Sequence, residues 1–135
     1  MKKLLVFGIT MAAAGLVLSL AGAGEGPGRK GRTAGRLRHV VLFKFKETAT
    51  PEDIKKVEDA FRALPTKIPS IERFEWGTNV SPENLNQGFT HCFLLTFRDA
   101  KGRDEYLPHP AHKEFGQLLR PHLDKVLVVD YVARD

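Results

Sequence analysis

The sequence is short of several features that would narrow its function. Its 135 residues include a single cysteine, Cys92, which cannot close an intramolecular disulfide. No glycine-rich nucleotide-binding motif and no haem or flavin motif occurs, so we predict no cofactor. Because no intramolecular disulfide can form, we expect the stability of the fold to come from packing and association. Because Cys92 lies in an apolar strand, we expect a buried and unreactive thiol.

The first 23 residues have the order of a secretory signal peptide. Lys2 and Lys3 are followed by an apolar run over residues 4–20 and then by small residues ending at Ala23. We expect cleavage after Ala23 and a secreted or periplasmic protein with no membrane association after cleavage. The alternative is an uncleaved membrane anchor, although the run is shorter than the ~20 residues of a typical span.

The excess of positive charge lies outside the predicted domain. Seven of the 21 basic residues precede His39, against one of the 16 acidic residues, so residues 39–135 carry 14 bases and 15 acids. This balance argues against a nucleic-acid-binding domain. Residues 24–38 are basic and rich in glycine, which is typical of a flexible linker.

Residues 39–135 predict one α+β domain. Alternating apolar residues indicate strands, whereas apolar residues at helical spacing, with capping residues and prolines at their ends, indicate helices. The expected elements are a strand over 39–46, a helix over 51–64, strands over 71–79 and 89–98, helices over 99–107 and 110–121, and a strand over 125–132. This order predicts a ferredoxin-like βαββαβ fold, with a four-stranded antiparallel sheet and helices on one face.

The strands are apolar on both faces, so the sheet face without helices is expected to bind a second copy. A large exposed apolar surface is rare on a monomer, so we predict a homodimer through the sheet face. Such a homodimer would be a dimeric α+β barrel. We expect this face to carry Val40, Leu42, Cys92, Leu94, Val126 and Val128.

Four histidines and a tyrosine form a candidate site. His39 and His91 are predicted to point to the helix-covered face, among phenylalanines, while His109 and His112 flank a helix break after Tyr106. Such an apolar pocket with polar groups at one end would suit a small apolar or aromatic ligand. Each residue could instead be purely structural. Because Pro110 interrupts the His109–His112 spacing and no acidic or cysteine ligand joins them, we predict no metal site.

The segments RHVVLFKFK, FEWGTNVSPENLNQGFTHCFLLTF, YLPHPAHKEF and VLVVDY, in this order, resemble the stress-responsive α/β-barrel (Dabb) family. The resemblance covers residues 39–131 and implies a dimeric α+β barrel. The family includes plant stress-induced proteins and olivetolic acid cyclase, in which a tyrosine and a histidine drive an aldol condensation. By motif position it implies Tyr106 and His112 as catalytic residues. Ligand-binding residues would be His39, His91, His109, Phe43 and Phe93.

These observations leave two classes of function open. The first is an exported, dimeric Dabb-domain protein that binds a small ligand or is associated with stress, without catalysis. The second is a cofactor-free enzyme, either cyclase-like, with His112 as base and Tyr106 as hydrogen-bond donor, or a monooxygenase of the related dimeric barrel type. An enzyme should show an open cavity with His112 and Tyr106 pointing into it within hydrogen-bond reach of each other, whereas a filled pocket favours the first class.

Overall fold

The computed structural model describes residues 34–134 of the chain. The predicted signal peptide and most of the predicted linker lie outside the described residues. The elements are β1 (Leu37–Phe45), α1 (Pro51–Arg62), α2 (Leu64–Lys67), β2 (Ile71–Thr78), β3 (His91–Phe97), α3 (Ala100–Tyr106), α4 (Pro110–Leu119) and β4 (Leu123–Val132). Strand β1 therefore begins two residues before the predicted domain boundary, inside the segment that we expected to be linker.

The four strands form one antiparallel sheet in the order β2-β3-β1-β4. The longer helices pack on one of its faces, so the predicted ferredoxin-like α+β fold is confirmed. Strand β1 is central and pairs with β3 on one side and with β4 on the other. None of the helices within residues 34–134 is long and apolar enough to cross a membrane.

Helix α1 begins where the sequence predicts and ends earlier. Thr50 and Asp53 form a capping box, in which each side chain accepts a hydrogen bond of 3.2 Å from the backbone N–H of the other residue. The predicted continuous helix to Leu64 is interrupted at Ala63, after which the one-turn helix α2 begins. Pro65 falls in the first turn of α2, where a missing N–H leaves no hydrogen bond unmade.

The core lies between the sheet and the helices and is built from aromatic rings. Phe61 of α1 stacks on Phe93 of β3 with ring centroids 4.3 Å apart, and Phe115 of α4 lies 4.6 Å from Phe61. Phe43 of β1 contacts all three rings. These rings fix α1 and α4 over strands β1 and β3 but leave β4, at the edge of the sheet, largely uncovered.

Two residues assigned to the open sheet face lie on the other face. The register pairs Phe43 with Val126 and Val41 with Val128, and directly paired residues share a face. Val126 and Val128 therefore point to the helix side, and the expectation for them was wrong. The residues of β4 on the open face are Leu127, Val129 and Tyr131, which are 41%, 49% and 47% exposed.

Cys92 is exposed in the single chain, on the sheet face that is predicted to bind a second copy. It lies on the open face of β3, whereas its neighbours His91 and Phe93 point into the core. Partial desolvation and the nearby Glu75 carboxylate raise the pKa of its thiol. The thiolate is thus disfavoured by both its environment and its neighbour.

Candidate functional site

The uncovered part of the helix-side face, between β4 and helices α3 and α4, forms a cavity of about 280 Å³. Its apolar walls come from the central strand, the edge strand and α4, and include Val41, Phe43, Val126, Val128, Phe115 and Leu119. Polar side chains gather at the other end of the cavity, at His39, Arg103, Tyr106, His112 and Asp130. An apolar cavity with a few converging polar groups is the usual form of a small-molecule site.

His39 and Asp130 form a hydrogen-bonded pair at this polar end. The strand register places them opposite each other, and His39 Nδ1 lies 2.6 Å from Asp130 Oδ1. Because an ionised carboxylate only accepts hydrogen bonds, Nδ1 carries the proton and a neutral ring keeps its lone pair on Nε2. The His39 side chain is only 6% exposed, so this ring is held in one orientation inside the protein.

Arg103 of α3 completes this group. One of its terminal nitrogens lies 2.6 Å from Asp130 Oδ2, and its Nε donates to Asp104 at 2.8 Å. Desolvation by burial favours a raised pKa at Asp130, but the hydrogen bonds from Arg103 and His39 outweigh it and lower the pKa. Asp130 is therefore ionised at neutral pH, and its charge is balanced by Arg103.

Tyr106 and His112 lie next to each other at the same polar end of the cavity, where the ring of Tyr106 also packs against that of His39. Asp99 caps α3, which ends at Tyr106, and Pro110 starts α4, so the helix break brings the two rings to a centroid distance of 4.2 Å. The two rings pack against each other without a hydrogen bond between the side chains, so the expected hydrogen-bond contact is not formed. His112 Nδ1 lies 3.0 Å from the Leu107 carbonyl oxygen. Since a carbonyl cannot donate a hydrogen bond, Nδ1 carries the ring proton. The lone pair on Nε2 of the neutral ring can then accept a proton.

Burial sets the protonation state of Tyr106. The residue is 1% exposed, and desolvation raises the pKa of its hydroxyl well above the usual range. The hydroxyl therefore stays protonated at any physiological pH and can act as a hydrogen-bond donor. The site thus combines one neutral donor, Tyr106, with two imidazoles whose tautomers are fixed by their protein partners.

The structure brings four of the seven predicted site residues to this cavity: His39, Phe43, Tyr106 and His112. Their roles stay predictions. His91 lies elsewhere, because it pairs with Phe43 in the antiparallel register while His39 pairs with Leu95. It bonds Thr90 at 2.8 Å and Glu58 at 3.0 Å. The expectation that His39 and His91 share one pocket was therefore wrong.

The other two predicted residues have structural surroundings. His109 is the N-cap of α4 and accepts a hydrogen bond of 3.2 Å from the Ala111 N–H. Phe93 is fully buried in the core, where it stacks on Phe61. Among residues 34–134, no group of three His, Cys, Asp or Glu side chains is placed to hold a metal ion.

Sequence reasoning missed Arg103 and Asp130. A signal for Asp130 was present, since it is the one acidic residue inside the apolar stretch VLVVDYV. A carboxylate in a strand that is apolar on both sides needs a partner, and the register supplies His39. Arg103 gave no such signal, because a lone arginine on a short polar helix is usually solvated.

Comparison with known proteins agrees with the fold. The family model described as the stress responsive A/B barrel domain (Dabb) matches residues 37–133. The chain belongs to this family. A Dabb protein of Arabidopsis thaliana, the stress-response A/B barrel domain-containing protein HS1, is 43% identical over 97 residues, which cover 72% of this chain and 89% of the relative.

Two further similar proteins bear on function and assembly. Olivetolic acid cyclase of Cannabis sativa is 31% identical over 98 residues, covering 73% of this chain and 97% of the cyclase. The crystal structure of a dimeric protein of unknown function with a ferredoxin-like fold, from Bacteroides fragilis, has a TM-score of 0.61 and 28% identity. That match covers 73% of this chain and 97% of the other.

Proposed function

We propose that this Dabb protein binds a small, uncharged, largely apolar molecule in the cavity between β4, α3 and α4, without a cofactor. The observation that carries the proposal is the open cavity of about 280 Å³ with Tyr106 and His112 at its polar end. Its one cationic side chain, Arg103, is already bonded to Asp104 and Asp130. A ligand anion would have to compete with both carboxylates, so a neutral ligand fits better.

We further propose that the protein transfers a proton to and from this ligand. His112 Nε2 would remove a proton from a carbon next to a carbonyl group, and the electron pair of the broken C–H bond would form an enolate. The protonated Tyr106 hydroxyl would donate a hydrogen bond to the enolate oxygen. The fixed tautomer of His112, the raised pKa of Tyr106 and the 31% identity with olivetolic acid cyclase support this proposal.

The two proposals are tested with 2-heptanone, a neutral ketone with exchangeable α-hydrogens. Calorimetry measures its binding to the protein, and proton NMR in heavy water measures the rate at which its α-hydrogens are replaced by deuterium. We expect binding and accelerated exchange. His112→Ala should lower the exchange rate by about 10²–10⁴-fold, which is the usual contribution of a general base. Tyr106→Phe should lower it with little change in the melting temperature.

His122→Ala is the matched control, because His122 faces Asp53 at 3.7 Å and is not part of the cavity wall. It should exchange the ketone as the wild type does. Binding without accelerated exchange would leave a binding protein and reject the catalytic proposal. Absence of binding would reject both.

We also propose that the protein is a homodimer through its open sheet face. Leu127, Val129 and Tyr131 are 41–49% exposed there, next to Val40 and Leu42 of β1. The dimeric Bacteroides fragilis protein of the same fold supports this assembly. Sedimentation equilibrium at micromolar concentration should give a dimer, and Val129→Asp should give a monomer, whereas Val80→Asp, in a loop, should not. A monomeric wild type would end this proposal.

Export remains a proposal based on residues 1–23 alone. The charged start, the apolar run and the small residues ending at Ala23 support it. Mass spectrometry of the protein recovered from cells should give a chain beginning at Gly24. A chain that retains residues 1–23 would favour the uncleaved anchor.

A further inference from the structure

Helix α4 presents one face to the cavity. Its cavity-lining residues are His112, Phe115, Gly116 and Leu119, which follow the i, i+3, i+4, i+7 spacing of a single helical face. Gly116 is at the centre of this face, between two buried apolar side chains. The wall of the cavity therefore has a gap at the position where any other residue would place a side chain.

The fold gives no reason for a glycine at this position. A glycine inside a helix is destabilising relative to alanine, so a structural glycine is usually explained by a close contact or a positive φ. At Gly88, φ is +83° and a Cβ would meet the Lys44 side chain at 2.8 Å. At Gly116, a Cβ would meet nothing within 4 Å. The space beside Gly116 belongs to the cavity.

A side chain at position 116 would point towards His112. Residues i and i+4 lie above each other on a helix, and the Cα–Cβ bond is tilted towards the N-terminal end. A larger residue at 116 would thus occupy the space in front of the imidazole of His112.

From these observations we infer that Gly116 determines how large a ligand the cavity accepts beside His112. The inference rests on the proposed ligand-binding function and adds the residue that sets the size limit. Gly116→Ala would shorten the space by one methyl group, and Gly116→Leu would fill more of it. Neither change removes a polar group of the site.

The test measures the binding of 2-pentanone, 2-heptanone and 2-nonanone to the full chain by calorimetry. In the wild type, each added methylene that fits should strengthen binding about fourfold, until the cavity is full. In Gly116→Ala, the affinity should stop increasing at a shorter ketone than in the wild type. In Gly116→Leu, it should stop increasing at a shorter ketone than in Gly116→Ala. If Gly116→Leu does not fold, the Gly116→Ala series decides.

The melting temperature provides a second test, because Gly116→Ala should weaken the binding of longer ketones but stabilise the fold. Gly116→Ala should raise the melting temperature by up to about 5 °C, because alanine is the better helix former. A lower melting temperature would show that the glycine serves the fold and would overturn the inference. Gly77→Ala is the matched control, since a Cβ at Gly77 also meets nothing within 4 Å but lies outside this cavity. Its ketone series should match that of the wild type.

The results distinguish a failure of the inference about Gly116 from a failure of the proposed binding function. If the wild type binds the ketones and Gly116→Ala has the same length limit, Gly116 does not set the size and the inference alone is wrong. If the wild type binds none of the three ketones, the proposed binding function fails, and the inference fails with it.

Discussion

Replacing Asp130 by asparagine should destabilise the protein at neutral pH and have little effect in acid. The Asp130 carboxylate accepts two hydrogen bonds of 2.6 Å, from His39 and Arg103, and the side chain is 26% exposed. A hydrogen bond to a charged group contributes about 1.5–3 kcal/mol to stability where it is buried. Partial exposure, and the ability of asparagine to accept from His39, reduce the expected loss to about 1–2 kcal/mol.

The pH dependence follows from the pKa of Asp130. Desolvation favours a higher pKa, but the bonds from Arg103 and His39 make the pKa lower in the folded state than its ordinary value of 3.8. A group with a lowered folded-state pKa stabilises the fold above its unfolded pKa, and this contribution is lost as the pH falls through the folded-state pKa. The difference between wild type and variant should therefore be complete above about pH 5 and shrink below about pH 4.

Urea unfolding followed by the fluorescence of the single tryptophan, Trp76, provides the measurement. With an m value of about 1–3 kcal/mol per molar urea, the midpoint of Asp130→Asn should fall by roughly 0.3–2 M at neutral pH. Asp104→Asn is the control, because Asp104 bonds the same Arg103 but is 62% exposed. Its midpoint should match that of the wild type.

Two results would refute this reasoning. An Asp130→Asn midpoint equal to that of the wild type at neutral pH would mean that the two short hydrogen bonds add no net stability. A difference that stays constant down to about pH 3 would mean that the charge of Asp130 is not its cause.

Two further changes test the scaffold that positions the site. Thr50→Ala removes half of the capping box of α1 and should cost about 1 kcal/mol in urea unfolding, whereas Thr48→Ala, outside the helix, should cost nothing measurable. Phe93→Ala empties a fully buried position among Phe43 and Phe61 and should cost about 3–5 kcal/mol. An equal midpoint in wild type and variant would contradict either prediction.

The sequence predicts the elements well because their signals are local. The alternation of apolar residues in β1 and β3, the Thr50-Pro51 helix start and the Asp99 cap each depend on residues a few positions apart. The boundary at Ala63 was less predictable, since a proline can either end a helix or start the next one.

The positions of the histidines required information that is not local. His39 and His91 both stand early in their strands, and both point into the core. Neighbouring antiparallel strands begin at opposite ends of the sheet, so two early residues lie far apart along it. The register confirms this, because His91 is opposite Phe43 and His39 is opposite Leu95. The predicted antiparallel topology already implied that His39 and His91 are separated along the sheet, but only the strand register shows by how many residues.

Strand β4 shows why a pattern that is apolar on both faces does not give the orientation of a strand. Val126 and Val128 differ little in hydrophobicity from Leu127 and Val129, so periodicity alone does not choose between the two faces. The informative residue is Asp130, because a carboxylate is expensive to bury without a partner. His39 is the partner directly opposite it, on a strand whose orientation the sequence does predict. A polar residue in an apolar strand thus fixes both the face of the strand and the polar end of the cavity.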